Sequence, residues 1–167
     1  SNNTFAEIID LIKQIKNNNL KTPDLIVARG IYIDSINGRY KRLSKFDESR
    51  NYISNFHYSK ALFFGNTPPH QATIIGPGAR LTPNIYCNEF FLTADLDFFL
   101  SLMAKKNLRV QIMKAAIVYM EDAGVSSRFI KLRISEVLKT YFKHFRIFFF
   151  IPFIARYLKR IMSKRYI

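Results

Sequence analysis

Asp24-Leu-Ile-Val-Ala-Arg-Gly-Ile-Tyr-Ile-Asp34 is rich in β-branched residues and is followed closely by Asn37-Gly38. Branched side chains suit a pleated strand, and Asn-Gly supplies the positive φ angles of a tight hairpin. The stretch predicts a strand paired with Arg39-Tyr40-Lys41-Arg42-Leu43. Upstream, Thr4-x-x-Glu7 is a capping box. Phe5, Ile8, Ile9, Ile12 and Ile15 follow at helical spacing, predicting a helix from Phe5 to Asn17 that Asn17-Asn18-Asn19 ends. Downstream, Asn51 to Phe64 reads as a helix with Ile53, Phe56 and Leu62 as its apolar positions.

Thr67-Pro68-Pro69 has to be extended or turned, because each proline disfavours helix in the residue before it. It leads into a short strand, Ala72-Thr73-Ile74-Ile75, closed by the turn Gly76-Pro77-Gly78, to which no chemistry is assigned. After a loop through Pro83 and Asn84, Thr93 is placed to cap a helix carrying Leu96, Phe99, Leu100 and Met103 and ending near Lys105-Lys106-Asn107. Asp95 and Asp97 fall in its first turn. Arg109 to Met120 reads as a strand, Gly124 as a turn, and Ser126 or Ser127 as the cap of a basic helix. Strands alternating with helices indicate an α/β fold.

The 167 residues suit one domain or a piece of one. Hydrophobic residues make up 49% and charged ones 23%, a balance that excludes a disordered chain. The formal charge of +14 calls for an anionic partner: nucleic acid, acidic lipid or a phosphorylated substrate. Ten of those charges lie net between Arg128 and Ile167, where Glu136 is the sole acid. Cys87 is the only cysteine, so no internal disulfide is possible, and it reads as a small buried residue. Ser1-Asn2-Asn3-Thr4 has neither the charged region of a secretory signal nor an initiator Met, so a fragment or processed product is expected. The apolar run Ile147 to Ala155 is broken by Pro152 and too short to span a bilayer.

Three motifs in order carry a likeness. Pro69-His70-Gln71-Ala72-Thr73, then Ala94-Asp95-Leu96-Asp97-Phe98, then Gly124-Val125-Ser126 resemble the second half of bacterial family 2 glycosyltransferases with a GT-A fold. In that family a His-Gln pair lies on a strand, an Ala/Glu-Asp-x-Asp motif opens a helix, and Gly-x-Ser follows the next strand. The hairpin from Asp24 to Leu43 also sits where the family carries one, and the likeness covers most of residues 5 to 127. It implies the C-terminal half of a GT-A mixed sheet over residues 1–127, with appended basic amphipathic helices over 128–167. The implied activity is inverting transfer of a sugar from a nucleotide-diphosphate donor to a saccharide or lipid-linked acceptor, in cell-surface polysaccharide biosynthesis. The family's N-terminal half, with the acidic segment that holds a divalent cation (Mg or Mn) and the donor diphosphate, is not among these residues. The cation's ligands are therefore expected outside this chain, which carries the acceptor side and is expected to lack transfer activity alone. Ala94 stands where many members have Glu, as in one common subgroup.

By the resemblance, Asp95 is the base that takes the acceptor hydroxyl's proton, a contribution of roughly 10²–10⁴-fold in such reactions. Asp97, two residues on, lies nearly opposite around a helix axis, so it is given a supporting role. Two close carboxylates would raise one pKa toward neutral. First-turn acids that merely complement the helix dipole are the plainer alternative. His70, rigidly mounted after two prolines, and Gln71 are placed near the acceptor or diphosphate, although His70 also reads as a hydrogen-bonded structural histidine. His57, His70 and His144 have no metal-ligand spacing. Gly124-Val125-Ser126 reads as a strand-to-helix connection, with a phosphate cradle as the other reading.

In the tail, Ile134, Val137, Leu138, Tyr141, Phe142 and Phe145 recur at helical steps, and the plainer reading docks that face on the protein's own core. Beyond Pro152, Phe153, Ile154, Tyr157, Leu158, Ile161 and Met162 line one side, with Arg156, Lys159, Arg160 and Lys164 on the other. That is the pattern of an interfacial helix. Phe148, Phe149, Phe150, Phe153, Arg156, Tyr157, Lys159 and Arg160 are the expected contacts with an anionic membrane surface, placing the protein on the inner face of the cell membrane, in the cytoplasm. A noncatalytic membrane-surface or nucleic-acid-binding module is the alternative function. Nucleic acid fits less well, because the aromatics are contiguous with Ile and Leu instead of being spaced as stacking platforms.

Overall fold

The computed structural model describes residues 22–34, 36–44, 46, 50–80, 89–121 and 129–163, together with residues 6, 8–10, 12–13 and 17, all of which are helical. Thr4, Glu7, Asn84, Cys87 and the Gly124-Val125-Ser126 segment lie outside the described residues. Among the described residues, five strands form one mixed sheet. β1 (Leu25–Ile33) is its hub, antiparallel to β2 (Tyr40–Ser44) and to β4 (Thr73–Ile75), and parallel to β5 (Val110–Glu121). β3 (Tyr52–Ile53) pairs antiparallel with β5 at the edge. The α/β class expected from the sequence is what the chain adopts.

The Asn37-Gly38 hairpin forms as its chemistry demands, with Gly38 at φ +66° and the Asp34 N–H donating to the Arg39 carbonyl at 2.8 Å. Leu25 and Val27 on β1 and Val110 and Ile112 on β5 face a core that also takes in Tyr58, Leu62, Phe98, Phe99, Leu102, Val137 and Tyr141. Asp24, buried at the start of β1, accepts the Arg109 N–H at 2.9 Å and so ties the entrances of the two central strands together.

Beyond the helical residues near the N-terminus, the α-helices among the described residues are α1 (Asn55–Phe63), the single turn α2 (Pro77–Arg80), α3 (Ala94–Ser101), α4 (Ile130–Phe145) and α5 (Phe150–Ser163). Three boundaries differ from expectation. The helix expected from Asn51 starts at Asn55, because Tyr52 and Ile53 are drawn into pairing with Gln111 and Val110. Gly76-Pro77-Gly78 enters a helical turn instead of simply closing a strand. α4 starts at Ile130 with Phe129 at its N-cap, beyond Ser126 and Ser127. α5, by contrast, starts two residues before Pro152, since a proline in the first helical turn forfeits no intrahelical bond.

The tail helices are packed on the same core as the sheet: Val137 and Tyr141 of α4 are buried in it, and Phe149, Phe153 and Tyr157 pack against it. α5 reaches back to the end of α1. Lys159 Nζ donates to the Phe64 carbonyl at 2.9 Å and to Asn66 Oδ1 at 2.8 Å, a cation placed at the negative end of the α1 dipole. Gly65 makes this approach possible. Its φ is +75°, and a Cβ there would stand 2.6 Å from the backbone nitrogen of Arg156. Gly65→Ala therefore combines a left-handed backbone penalty with a collision against main chain, and should destabilise the protein by at least about 2 kcal/mol. A urea midpoint unchanged from the parent would contradict this docking.

Candidate functional site

The residues from Phe91 to Thr93 lead into α3, and their backbone donors are satisfied by a side chain far along the sequence. Glu136, buried on α4, accepts the N–H of Phe91 at 3.2 Å, of Leu92 at 2.7 Å and of Thr93 at 3.1 Å. A carboxylate held by three amides gains charge-assisted bonds, and leaving those donors unpaired on burial would cost about 1–3 kcal/mol each. The lone acid of a strongly basic stretch is thus the anchor of this entrance. Thr140 donates its hydroxyl to the Glu136 carbonyl at 2.8 Å, which makes Thr93 Oγ1 the donor in their 3.0 Å contact. Thr93 is the N-cap residue of α3, but its side chain makes no cap bond, contrary to expectation, its hydroxyl being turned toward Thr140 and Glu136 on α4.

Asp95 and Asp97 then part company. Asp95 is half-buried, and its Oδ1 accepts the N–H of Leu96 at 2.8 Å. Asp97 is buried, with Oδ1 2.7 Å from His144 Nε2 and Oδ2 3.0 Å from Lys143 Nζ. An ionised carboxylate only accepts, so the histidine nitrogen is the donor. Burial works to raise the Asp97 pKa, but the hydrogen bonds and charges of His144 and Lys143 outweigh it and hold the carboxyl below its ordinary value. The expected mutual elevation of two neighbouring carboxylates is not what governs Asp97. It is the second fastening between α3 and α4.

His70 and Gln71 are exposed and lie on a short 3-10 turn, His70–Ala72, that leads into β4, not on a strand. The turn follows from the prolines: the Pro69 carbonyl accepts the Ala72 N–H at 2.9 Å and the Thr73 hydroxyl at 2.8 Å. The His70 ring meets Phe99 edge-on, with centroids 6.4 Å apart. Phe99 lies one helical turn beyond Asp95, so His70 is brought against the helix that Asp95 opens. Among the described residues no group of three His, Cys, Asp or Glu is arranged to hold a metal ion. Both Asp97 oxygens are already engaged, by Lys143 and His144, so the divalent ion implied by the resemblance does not fit there.

The expected membrane contacts divide in two. Phe149, Phe153 and Tyr157 pack on the core, and Arg156 donates to Thr67 Oγ1 at 3.2 Å and to Tyr141 Oη at 3.4 Å. Lys159 is spent on α1, and its burial pushes its pKa below the ordinary value. Phe148 and Phe150 remain exposed, whereas the Arg160 side chain lies outside the described residues. No helix among the described residues is long and apolar enough to cross a membrane.

Comparison with family models, with curated proteins and with solved structures finds no match to this chain. The site therefore stands on its own geometry. Glu136, Thr140, Lys143 and His144 are the residues sequence reading missed; the isolation of Glu136 among cations was the available signal.

Two measurements check these fastenings. Glu136→Gln leaves one acceptor where two oxygens served three amides and should lower stability by about 1–3 kcal/mol in chemical denaturation. Because the folded pKa of Asp97 is depressed, its contribution is fully present above the unfolded carboxyl value and is lost as pH falls through the folded one. Asp97→Asn should thus destabilise the protein at neutral pH and flatten the acid limb of stability against pH; an unaltered limb would contradict the ion pair.

Proposed function

We propose that this chain is the acceptor-side portion of an inverting glycosyltransferase of the GT-A type, acting on a nucleotide-diphosphate sugar and a saccharide or lipid-linked acceptor. The observation that carries the reading is the contrast between the two aspartates. Asp97 is committed to His144 and Lys143, while Asp95 is half-exposed at the mouth of α3 and no described residue takes its Oδ2. A general base needs an unengaged lone pair within reach of the hydroxyl it deprotonates, and a mount that does not shift when the proton arrives. Glu136 supplies that mount by holding the residues immediately before Asp95.

In this reading Asp95 Oδ2 accepts the proton of the acceptor hydroxyl as its oxygen attacks the anomeric carbon from the face opposite the departing nucleoside diphosphate. Configuration inverts in that single displacement. His70 lines the same side of α3 through Phe99 and contacts the acceptor or the diphosphate, with Gln71 beside it. The donor diphosphate and its divalent cation are held by residues outside this chain. Asp97 positions the helix and takes no proton. The resemblance supplies the reaction class; the unequal environments of the two carboxylates support the assignment of roles.

The test is sugar transfer by the natural gene product containing these residues, assayed across nucleotide-sugar donors. Asp95→Asn should lower kcat by roughly 10²–10⁴-fold with little change in stability, since the asparagine still accepts the Leu96 N–H. Undiminished transfer by that variant would overturn the assignment.

A further inference from the structure

Beside the anchored entrance to α3 lies a groove of about 580 Å³ that the proposed reaction does not use. Its apolar wall is built by Phe90, Leu138, Phe142 and Phe149. Lys139, Lys143 and Arg146 line it as well, and Glu89 is the single acid among its described lining residues. All three of these cations are exposed; Lys143 also holds Asp97 and lies 5.4 Å from the Phe90 ring centroid. Arg146 stands at the junction between α4 and α5 with φ 51° and ψ −126°. Side-chain-bearing residues avoid that conformation, and such an outlier beside a cationic groove points to function.

The groove continues into uncovered apolar surface. Ile130, Ile134, Leu138 and Phe142 recur every fourth residue along α4 and are all exposed, and Phe150, Ile154, Leu158 and Ile161 form a matching exposed row along α5. The rows join through rings: Phe142 meets Phe149 at 5.6 Å and Phe149 meets Phe150 at 6.2 Å. Apolar rows interrupted by a cationic groove match one occupant in both shape and charge, an acidic phospholipid at a bilayer surface, with its headgroup against the cations and neighbouring chains against the rows. Nucleic acid would need separated aromatic platforms, whereas these rings abut one another and aliphatic side chains.

We propose that the Lys139, Lys143 and Arg146 groove, flanked by the exposed rows of α4 and α5, docks the protein on an anionic membrane surface through an acidic phospholipid headgroup. This differs from the contact set read off the sequence, because Phe153, Arg156, Tyr157 and Lys159 are turned to the protein's own interior and to α1. The docking stands independently of the proposed transfer reaction.

The experiment is flotation of the intact protein with phosphatidylcholine vesicles, with and without phosphatidylglycerol. Binding should require the anionic lipid and weaken about fivefold for each cation removed in Lys139→Ala and Arg146→Gly, the glycine also relieving the backbone. Glu89→Gln should tighten binding to anionic vesicles by up to about the same factor, a gain that misfolding cannot mimic. Phe150→Asp should abolish flotation while leaving the melting temperature near that of the parent. Equal binding to neutral vesicles, indifference to all three charge variants, tighter binding to a single-stranded oligonucleotide, or concentration-dependent self-association through these rows without flotation would each overturn the proposal.

Discussion

The Glu136 carboxylate, sunk among the backbone amides of Phe91, Leu92 and Thr93, is the contact on which the rest of the candidate site depends. A segment entering a helix from a loop has donors with no ladder to satisfy them, and burying them unpaired would cost more than the helix gains. Here the partner comes from a different helix, so the direction in which α3 sets out is decided by α4. Asp97 repeats the arrangement one turn later with the helices' roles exchanged: an acid on α3 held by a cation and a histidine on α4. Between the two fastenings sits Asp95, oriented by both neighbours and engaged by neither.

That arrangement explains why the tail helices cannot be regarded as an appendage added to a finished sheet. Val137 and Tyr141 fill the same core as Leu25, Val27 and Val110, and Arg156 and Lys159 bring α5 against the segment that follows α1. What the tail leaves outside is equally specific: the rows through Phe142 and Phe150 and the cations that border them. Each helix is apolar over more of its circumference than the core can cover.

Much of the fold was legible from local chemistry. The β1–β2 hairpin is written in branched residues and Asn37-Gly38, β4 in a short apolar run bounded by breakers, and β5 in the stretch from Arg109 to Met120. The start of α1 was not legible, because Tyr52 and Ile53 form a strand only in the presence of Gln111 and Val110, a partner no local window contains. Periodicity found the apolar faces of α4 and α5 but could not say which half docks: Val137 and Tyr141 went inward while Leu138 and Phe142, one position on, stayed out. The positions of Asp95 and Asp97 around the helix were readable from their spacing. The partners of Asp97 were not, since Lys143 and His144 lie more than forty residues away and carry no mark beyond their charge and ring.

Native-state hydrogen exchange at Phe91, Leu92 and Thr93 tests the central claim most directly, because it reads the three amides that Glu136 is said to hold. The account predicts that they exchange only through openings as rare as those that expose Leu25 and Val27 of β1, and that Glu136→Ala abolishes this protection selectively. Exchange of the three amides in the parent protein at the rate of an unstructured peptide would contradict it.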